Sequence, residues 1–77
     1  MSSISTLAIK FSKRVRFERI MRRYSQEKLA ELAGIGRSTL TQIEAQTSSP
    51  TLDIVEKIAK ALGFEPYELF IFNNLEI

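Results

Sequence analysis

Arg37, Ser38, Thr41 and Gln42 stand at i, i+1, i+4 and i+5 of one short segment, RSTLTQIE. If that segment is helical, the four side chains share one face, and Leu40 and Ile43 turn the other way. Together they offer a particular chemistry. An arginine fork matches the O6 and N7 acceptors of guanine, and a glutamine amide matches N6 and N7 of adenine. A serine or threonine hydroxyl donates or accepts. Thr39 borders the face, where it can meet a thymine methyl or a phosphate. The competing reading is a plain solvated surface of small polar residues. The surrounding elements must separate the two.

The residue types that are missing narrow the field. Among 77 residues there is no His and no Cys, which excludes disulfide staples and Cys/His zinc sites. The usual catalytic bases and nucleophiles are gone as well, and no carboxylate pair forms a recognisable site. These gaps argue against an enzyme and imply no metal and no cofactor. The length predicts one domain, residues 1–77, with one small core. Without staples such a chain must pack its helices well, self-associate, or both. The start, MSSISTLAIKFSKR, lacks the long apolar run of a signal peptide, and the longest apolar run, Leu69 to Phe72, cannot span a bilayer. A cytoplasmic protein is expected, and the lack of Cys fits a reducing compartment.

The net charge is +2, but it is unevenly spread. Lys10, Lys13, Arg14, Arg16, Arg19, Arg22, Arg23 and Lys28 crowd the first part, against Glu18 and Glu27. From Glu44 onward the acids Glu44, Asp53, Glu56, Glu65, Glu68 and Glu76 outnumber Lys57 and Lys60. The basic end is an electrostatic footprint for a polyanion. Charge alone does not choose between nucleic acid, an anionic membrane and a solvated face without a partner.

Apolar spacing predicts five short helices and no strand. The first spans about Leu7 to Arg22, with Leu7, Phe11, Val15 and either Phe17 or Ile20 inward. The second runs from the N-cap Ser25 to Ala33, and the third from Arg37 to Ala45. The fourth follows Thr51, buries Leu52, Val55, Ile58, Ala59 and Leu62, and stops at Gly63. A fifth runs from Pro66 to about Phe72. The link between the second and third helices carries the most information. Two helices that cross steeply through a short turn need a small residue where they touch, which Ala30 supplies. They need a residue that accepts a left-handed backbone, which Gly34 supplies. Leu29, Ala33, Ile35, Leu40 and Ile43 provide the apolar side of the corner. Residues 25–45 therefore spell a helix-turn-helix. A phosphate would suit the N-terminus of its first arm.

SQEKLAELAGIGRSTLTQIE resembles the helix-turn-helix of the phage-repressor and Cro class, the XRE family, and is similar to the small controller proteins of restriction–modification systems. Arg14-Val15-Arg16 with Arg19, Ser49-Pro50-Thr51-Leu52 and IAKALG at 58–63 extend the likeness over nearly the whole chain. The resemblance implies an all-α, compact five-helix, lambda-repressor-like DNA-binding domain. It implies a homodimeric transcriptional regulator that lays helix 37–45 in the major groove of double-stranded DNA at a palindromic or pseudo-palindromic operator. Arg37, Ser38 and Gln42 fall on the family's base-reading positions, and Thr41 shares their face. Gln26 falls where the family grips the DNA backbone. Lys13, Arg14, Arg16, Arg23, Lys28, Thr39, Ser48 and Ser49 are further candidate contacts. Arg19 and Glu44 match a structural pair of the family. Three positions depart from its pattern: Arg23 replaces a common glycine, Ala45-Gln46 replaces a pair ending in glycine, and Glu18 replaces an apolar residue.

The tail PYELFIFNNLEI holds more apolar residues than one small core covers. Segment 66–77, whose apolar residues run on to Leu75, is therefore the candidate dimer region, with Tyr67, Phe70, Ile71 and Phe72 in the interface. A membrane partner is not expected. The alternative function is an antitoxin-like protein-interaction module whose DNA binding only regulates itself.

Overall fold

The structure is a computed structural model that describes residues 4–72. Four α-helices carry it: α1 (Thr6–Met21), α2 (Gln26–Ala33), α3 (Arg37–Glu44) and α4 (Leu52–Leu62). A single 3₁₀ turn, Pro66–Phe70, follows. There is no strand among the described residues. The expected fifth helix is thus a 3₁₀ turn that ends two residues early, with Ile71 extended. Its physical cause lies in its carbonyls. The Arg14 guanidinium takes those of Glu68 and Ile71, so no further helical turn is needed to satisfy them.

Local chemistry sets the helix starts. Ser5 Oγ accepts from the Ala8 amide at 3.1 Å, Ser25 Oγ from Lys28 at 3.0 Å and Thr51 Oγ1 from Ile54 at 3.2 Å. All four helices end in the same way. The amide of Tyr24 donates to Arg19 O, Ile35 to Ala30 O, Thr47 to Gln42 O and Phe64 to Ala59 O. Each of these bonds spans a residue with positive φ: Arg23 (59°), Gly34 (70°), Gln46 (63°) and Gly63 (82°). These are Schellman ends, which turn the chain sharply while satisfying terminal carbonyls. Two of them use a residue other than glycine, at about 1 kcal/mol each. Arg23 is exposed there and Gln46 half-buried.

The core is one cluster drawn from every element: Phe11, Val15, Leu29, Ala30, Ala33, Leu40, Ile43, Val55, Ile58, Ala59, Leu62 and Leu69. Ala30 is buried beside the α2–α3 corner, and its carbonyl accepts from the Ile35 amide. The inward side of α1 is rotated from expectation. It buries Ala8, Phe11, Ser12 and Val15, while Leu7, Phe17 and Ile20 are exposed. Ser12 is tolerated inside because its hydroxyl donates to Ala8 O at 2.9 Å. Leu52, expected inside, is 84 % exposed at the start of α4. Among the described residues no helix is long and apolar enough to cross a membrane.

The C-terminal segment is held to α1 by charge as well as by apolar packing. Glu18 accepts from Arg14 Nε at 2.8 Å and from Arg22 Nη1 at 2.6 Å. Arg22 Nη2 donates onward to Leu62 O at 2.9 Å. The Phe64 ring lies 5.3 Å from each of the two guanidinium carbons. Glu18 thus replaces an apolar contact with an ionic latch, and Phe17 does not take over an inward place. Burial raises the Glu18 carboxyl, but hydrogen bonds from Arg22 and Arg14 outweigh it and leave the group below its ordinary value. A depressed carboxylate adds stability above its unfolded pKa, and that stability is lost as pH falls through the folded value. Glu18→Gln should therefore cost about 1–2 kcal/mol at pH 7 and flatten the acid limb of the stability profile below about pH 4.3. Urea melts across pH 2.5–7 check this; an acid limb as steep as wild type would exclude Glu18 as its source.

Candidate nucleic-acid interface

A tight corner leads from α2 into α3. α2 ends on Gly34, and Gly36 caps α3 without a side-chain hydrogen bond. Leu40 and Ile43 anchor the inner side of α3 in the core. Its outer side carries Arg37, Ser38, Thr41 and Gln42, which line one shallow concavity. All four are exposed. Arg37, Ser38 and Gln42 make no side-chain hydrogen bond or ion pair among the described residues, so their donors and acceptors are free for a ligand. Thr39 is half-buried beside them.

Behind this face lies a polar clamp. Arg19 Nε donates to Glu44 Oε2 at 2.7 Å, and Nη2 donates to Oε1 at 2.8 Å. The arrangement is bidentate, the stronger form of such a pair. Side-chain exposure is 13 % for Arg19 and 3 % for Glu44. Arg19 Nη1 also donates to Tyr24 O at 2.8 Å, which ties the α1–α2 turn to the same group. Hydrogen bonds to Glu44 hold the Arg19 guanidinium above its ordinary value, against the opposing pull of burial. The guanidinium is charged at neutral pH.

Gln26 extends the clamp. Its Nε2 donates to Glu44 Oε1 at 3.1 Å, and its Oε1 accepts from Thr41 Oγ1 at 2.9 Å. The side chain at the start of α2 is thus held within the protein and joins the clamp to the exposed face of α3. Nothing local announces this link, because its members are 15 and 18 residues apart in sequence.

The basic residues divide into two groups. Lys13, Arg16, Arg23 and Lys28 are exposed, and their side chains make no hydrogen bond or ion pair among the described residues. Arg14 stands apart from these: it is half-buried, its Nε donates to Glu18, and its Nη1 donates to the carbonyls of Glu68 and Ile71. Ser49 is exposed and Ser48 half-buried in the loop after α3. Among the described residues no group of three or more His, Cys, Asp or Glu side chains could hold a metal ion.

The candidate dimer residues also divide. Phe70 stacks on Phe11 with ring centroids 5.3 Å apart, and Phe72 meets Phe70 edge-on at 6.3 Å. Those two rings pack within their own chain. Tyr67 and Ile71 are exposed, at 68 % and 47 %. Leu75 and the rest of 73–77 lie outside the described residues.

Comparison with known proteins places this geometry among relatives. A family model described as helix-turn-helix, HTH_3, matches residues 15–69. The control protein C.BamHI of Bacillus amyloliquefaciens is 36 % identical over 72 residues, which cover 92 % of this chain and 89 % of that protein. The cryptic phage CTXphi transcriptional repressor RstR of Vibrio cholerae is 41 % identical over 59 residues, covering 77 % of this chain and 53 % of the repressor. Among solved structures, the restriction-modification controller protein C.AhdI from Aeromonas hydrophila superposes with a TM-score of 0.76 at 39 % identity, covering 80 % of this chain and 94 % of that one.

The clamp makes a sharp energetic prediction. Arg19→Met leaves Glu44 charged and nearly buried without its strongest partner, which should cost about 3–5 kcal/mol. Adding Glu44→Met to the same protein should recover part of that loss, since it removes the stranded charge. Denaturant melts of the two single variants and the double variant measure the coupling. A purely additive result would mean that the pair contributes nothing as a pair.

Proposed function

The chain belongs to the HTH_3, or XRE, helix-turn-helix family of DNA-binding transcriptional regulators, and from that premise we propose that it binds a two-fold-symmetric operator as a homodimer, with α3 in the major groove. The observation that carries the reading is the outer face of α3. Arg37, Ser38 and Gln42 stand there exposed and without internal partners, on a helix that the Arg19–Glu44 clamp holds rigid. Rigid placement of unspent donors and acceptors is what base-edge reading requires. In this reading Arg37 pairs with guanine and Gln42 with adenine, and Ser38 and Thr41 take single bonds. Lys13, Arg16, Arg23 and Lys28, with Thr39, Ser48 and Ser49, contact phosphates and set register without reading sequence. The likeness to the control protein C.BamHI and the restriction-modification controller protein C.AhdI supports a regulator of a restriction–modification system.

Exposed apolar surface supports the homodimer. Leu7, Leu52, Tyr67 and Ile71 all stand out to solvent. Leu7 and Leu52, with Ala8, Phe11, Pro50, Val55 and Phe70, line an apolar hollow of about 170 Å³. A second copy placed across this surface covers side chains that a small core cannot. It also sets two α3 helices about 34 Å apart, one turn of DNA. Residues 1–77 then serve as a single unit for DNA binding and pairing.

Two experiments test these readings. In gel shifts, a dimer touching roughly 6–10 phosphates loses about three to five decades of affinity between about 50 and 200 mM salt. On the cognate site Arg37→Ala costs about 1–3 kcal/mol and relaxes one base pair per half-site, whereas Lys13→Ala weakens all sequences alike. Binding that ignores salt, or none at all, would refute the DNA reading and favour the antitoxin-like one.

For the dimer, Ile71→Lys is the informative change. Phe70→Lys would break the stack on Phe11, but Ile71 is exposed in the single chain. Sedimentation should find the Ile71→Lys protein folded and monomeric, with little preference left for a palindrome. A wild-type protein that stays monomeric at tens of micromolar would refute a preformed dimer.

A further inference from the structure

The clamp behind α3 has a hydrogen-bond direction, and that direction reaches the exposed face. A carboxylate only accepts, and a guanidinium only donates. With Arg19 on both Glu44 oxygens, the atom of Gln26 that lies 3.1 Å from Glu44 Oε1 must be its amine end. An amide oxygen there would set acceptor against acceptor. The Gln26 amide is thereby oriented, and its oxygen faces Thr41 Oγ1 at 2.9 Å. An amide oxygen only accepts as well, so the single hydroxyl proton of Thr41 is spent on Gln26. What Thr41 has left to offer a ligand is lone pairs.

We propose that Thr41 acts only as an acceptor toward DNA, and that it selects adenine or cytosine over guanine or thymine at one position of each half-site. The proposal rests on the reading of α3 as the groove helix. The chemistry of the base edges supplies the selection. In the major groove adenine N6 and cytosine N4 are donors, whereas guanine O6 and N7 and thymine O4 are acceptors. Thr41 lone pairs bond the first two and oppose the others. An unconstrained threonine would rotate its hydroxyl to suit either kind. Arg19, Glu44 and Gln26 remove that freedom, so Gln26 acts as a positioning residue for the base contact. Ser38, with no internal partner on the same face, keeps both options.

The test is selection from randomised duplexes with the full chain as wild type, Thr41→Val, Gln26→Ala and Arg37→Ala. Valine keeps the shape of threonine and removes only the hydroxyl, on an exposed helix face. Thermal melts confirm that each variant folds. Thr41→Val should relax one position per half-site by roughly three- to tenfold, and wild type should select A or C there. Replacing that adenine with purine, or that cytosine with 2-pyrimidinone, deletes the exocyclic amine. It should weaken wild type by the same factor and leave Thr41→Val binding unchanged. Gln26→Ala frees the hydroxyl proton, so the same position should widen to admit G or T. Selection of G or T there by wild type would overturn the proposal, as would a Thr41→Val motif equal to wild type while Arg37→Ala still shifts its own position. In either case the groove helix stands and only the acceptor assignment falls. An A or C restriction that survives Gln26→Ala would equally overturn it. If neither Arg37→Ala nor Thr41→Val alters the motif, the groove reading itself falls and takes this one with it.

Discussion

Arg19 on α1 and Glu44 at the last turn of α3 meet through two parallel hydrogen bonds of 2.7 and 2.8 Å, nearly out of solvent. The eight residues of α3 would not persist as a helix by themselves. Leu40 and Ile43 bury its inner side, but apolar packing alone leaves a short helix free to slide or roll. A bidentate pair does not, because both bonds have a preferred plane and distance. Arg19 also grips the carbonyl of Tyr24, so the turn into α2 shares the constraint. Bringing two charges inside is costly, so what the pair's geometry supplies plainly is orientation, not net stability.

α1 is the frame for both ends of the molecule. Arg19 points the helix at α3. One turn either side, Arg14, Glu18 and Arg22 form the latch that holds the end of α4 and the 3₁₀ turn. The apolar surface assigned to pairing and the polar face assigned to the groove are therefore referenced to one rigid rod. In the proposed two-fold reading this matters, because half-site spacing would depend on the distance from the pairing surface to α3. A loose C-terminal segment would let that distance wander. The ring of Phe64 between two guanidinium groups adds stiffness that aliphatic packing would not provide.

Tight corners carry a visible cost. Four successive helices end in a left-handed residue, and Arg23 and Gln46 occupy that conformation without the freedom of glycine. The return is compactness. Every helix reverses within a few residues, and the Schellman bonds leave few terminal carbonyls to be satisfied elsewhere. Arg23 stands where the resemblance puts a glycine, and it takes the left-handed backbone a glycine would, with φ of 59°.

Much of this was legible along the chain. Ser25 and Thr51 as caps, Gly34 and Gly63 as stops, Ala30 at the corner, and the division of α3 into inner Leu40 and Ile43 and outer Arg37, Ser38, Thr41 and Gln42 are all decided within one or two helical turns. Local backbone chemistry and periodicity suffice there, because the competing interactions are themselves local. The tertiary structure alone decided the outward turn of Leu7 and Leu52, the diversion of Arg14 into a latch, the 3₁₀ turn in place of a fifth helix, and the stack of Phe70 on Phe11. It also decided the bond of Thr41 to Gln26. In each case the partner lies on another element, and a long side chain can swing several ångströms between solvent, phosphate and a neighbouring carbonyl. Which of these it takes depends on where two helices cross, and that is a property of the packed core rather than of any stretch of sequence.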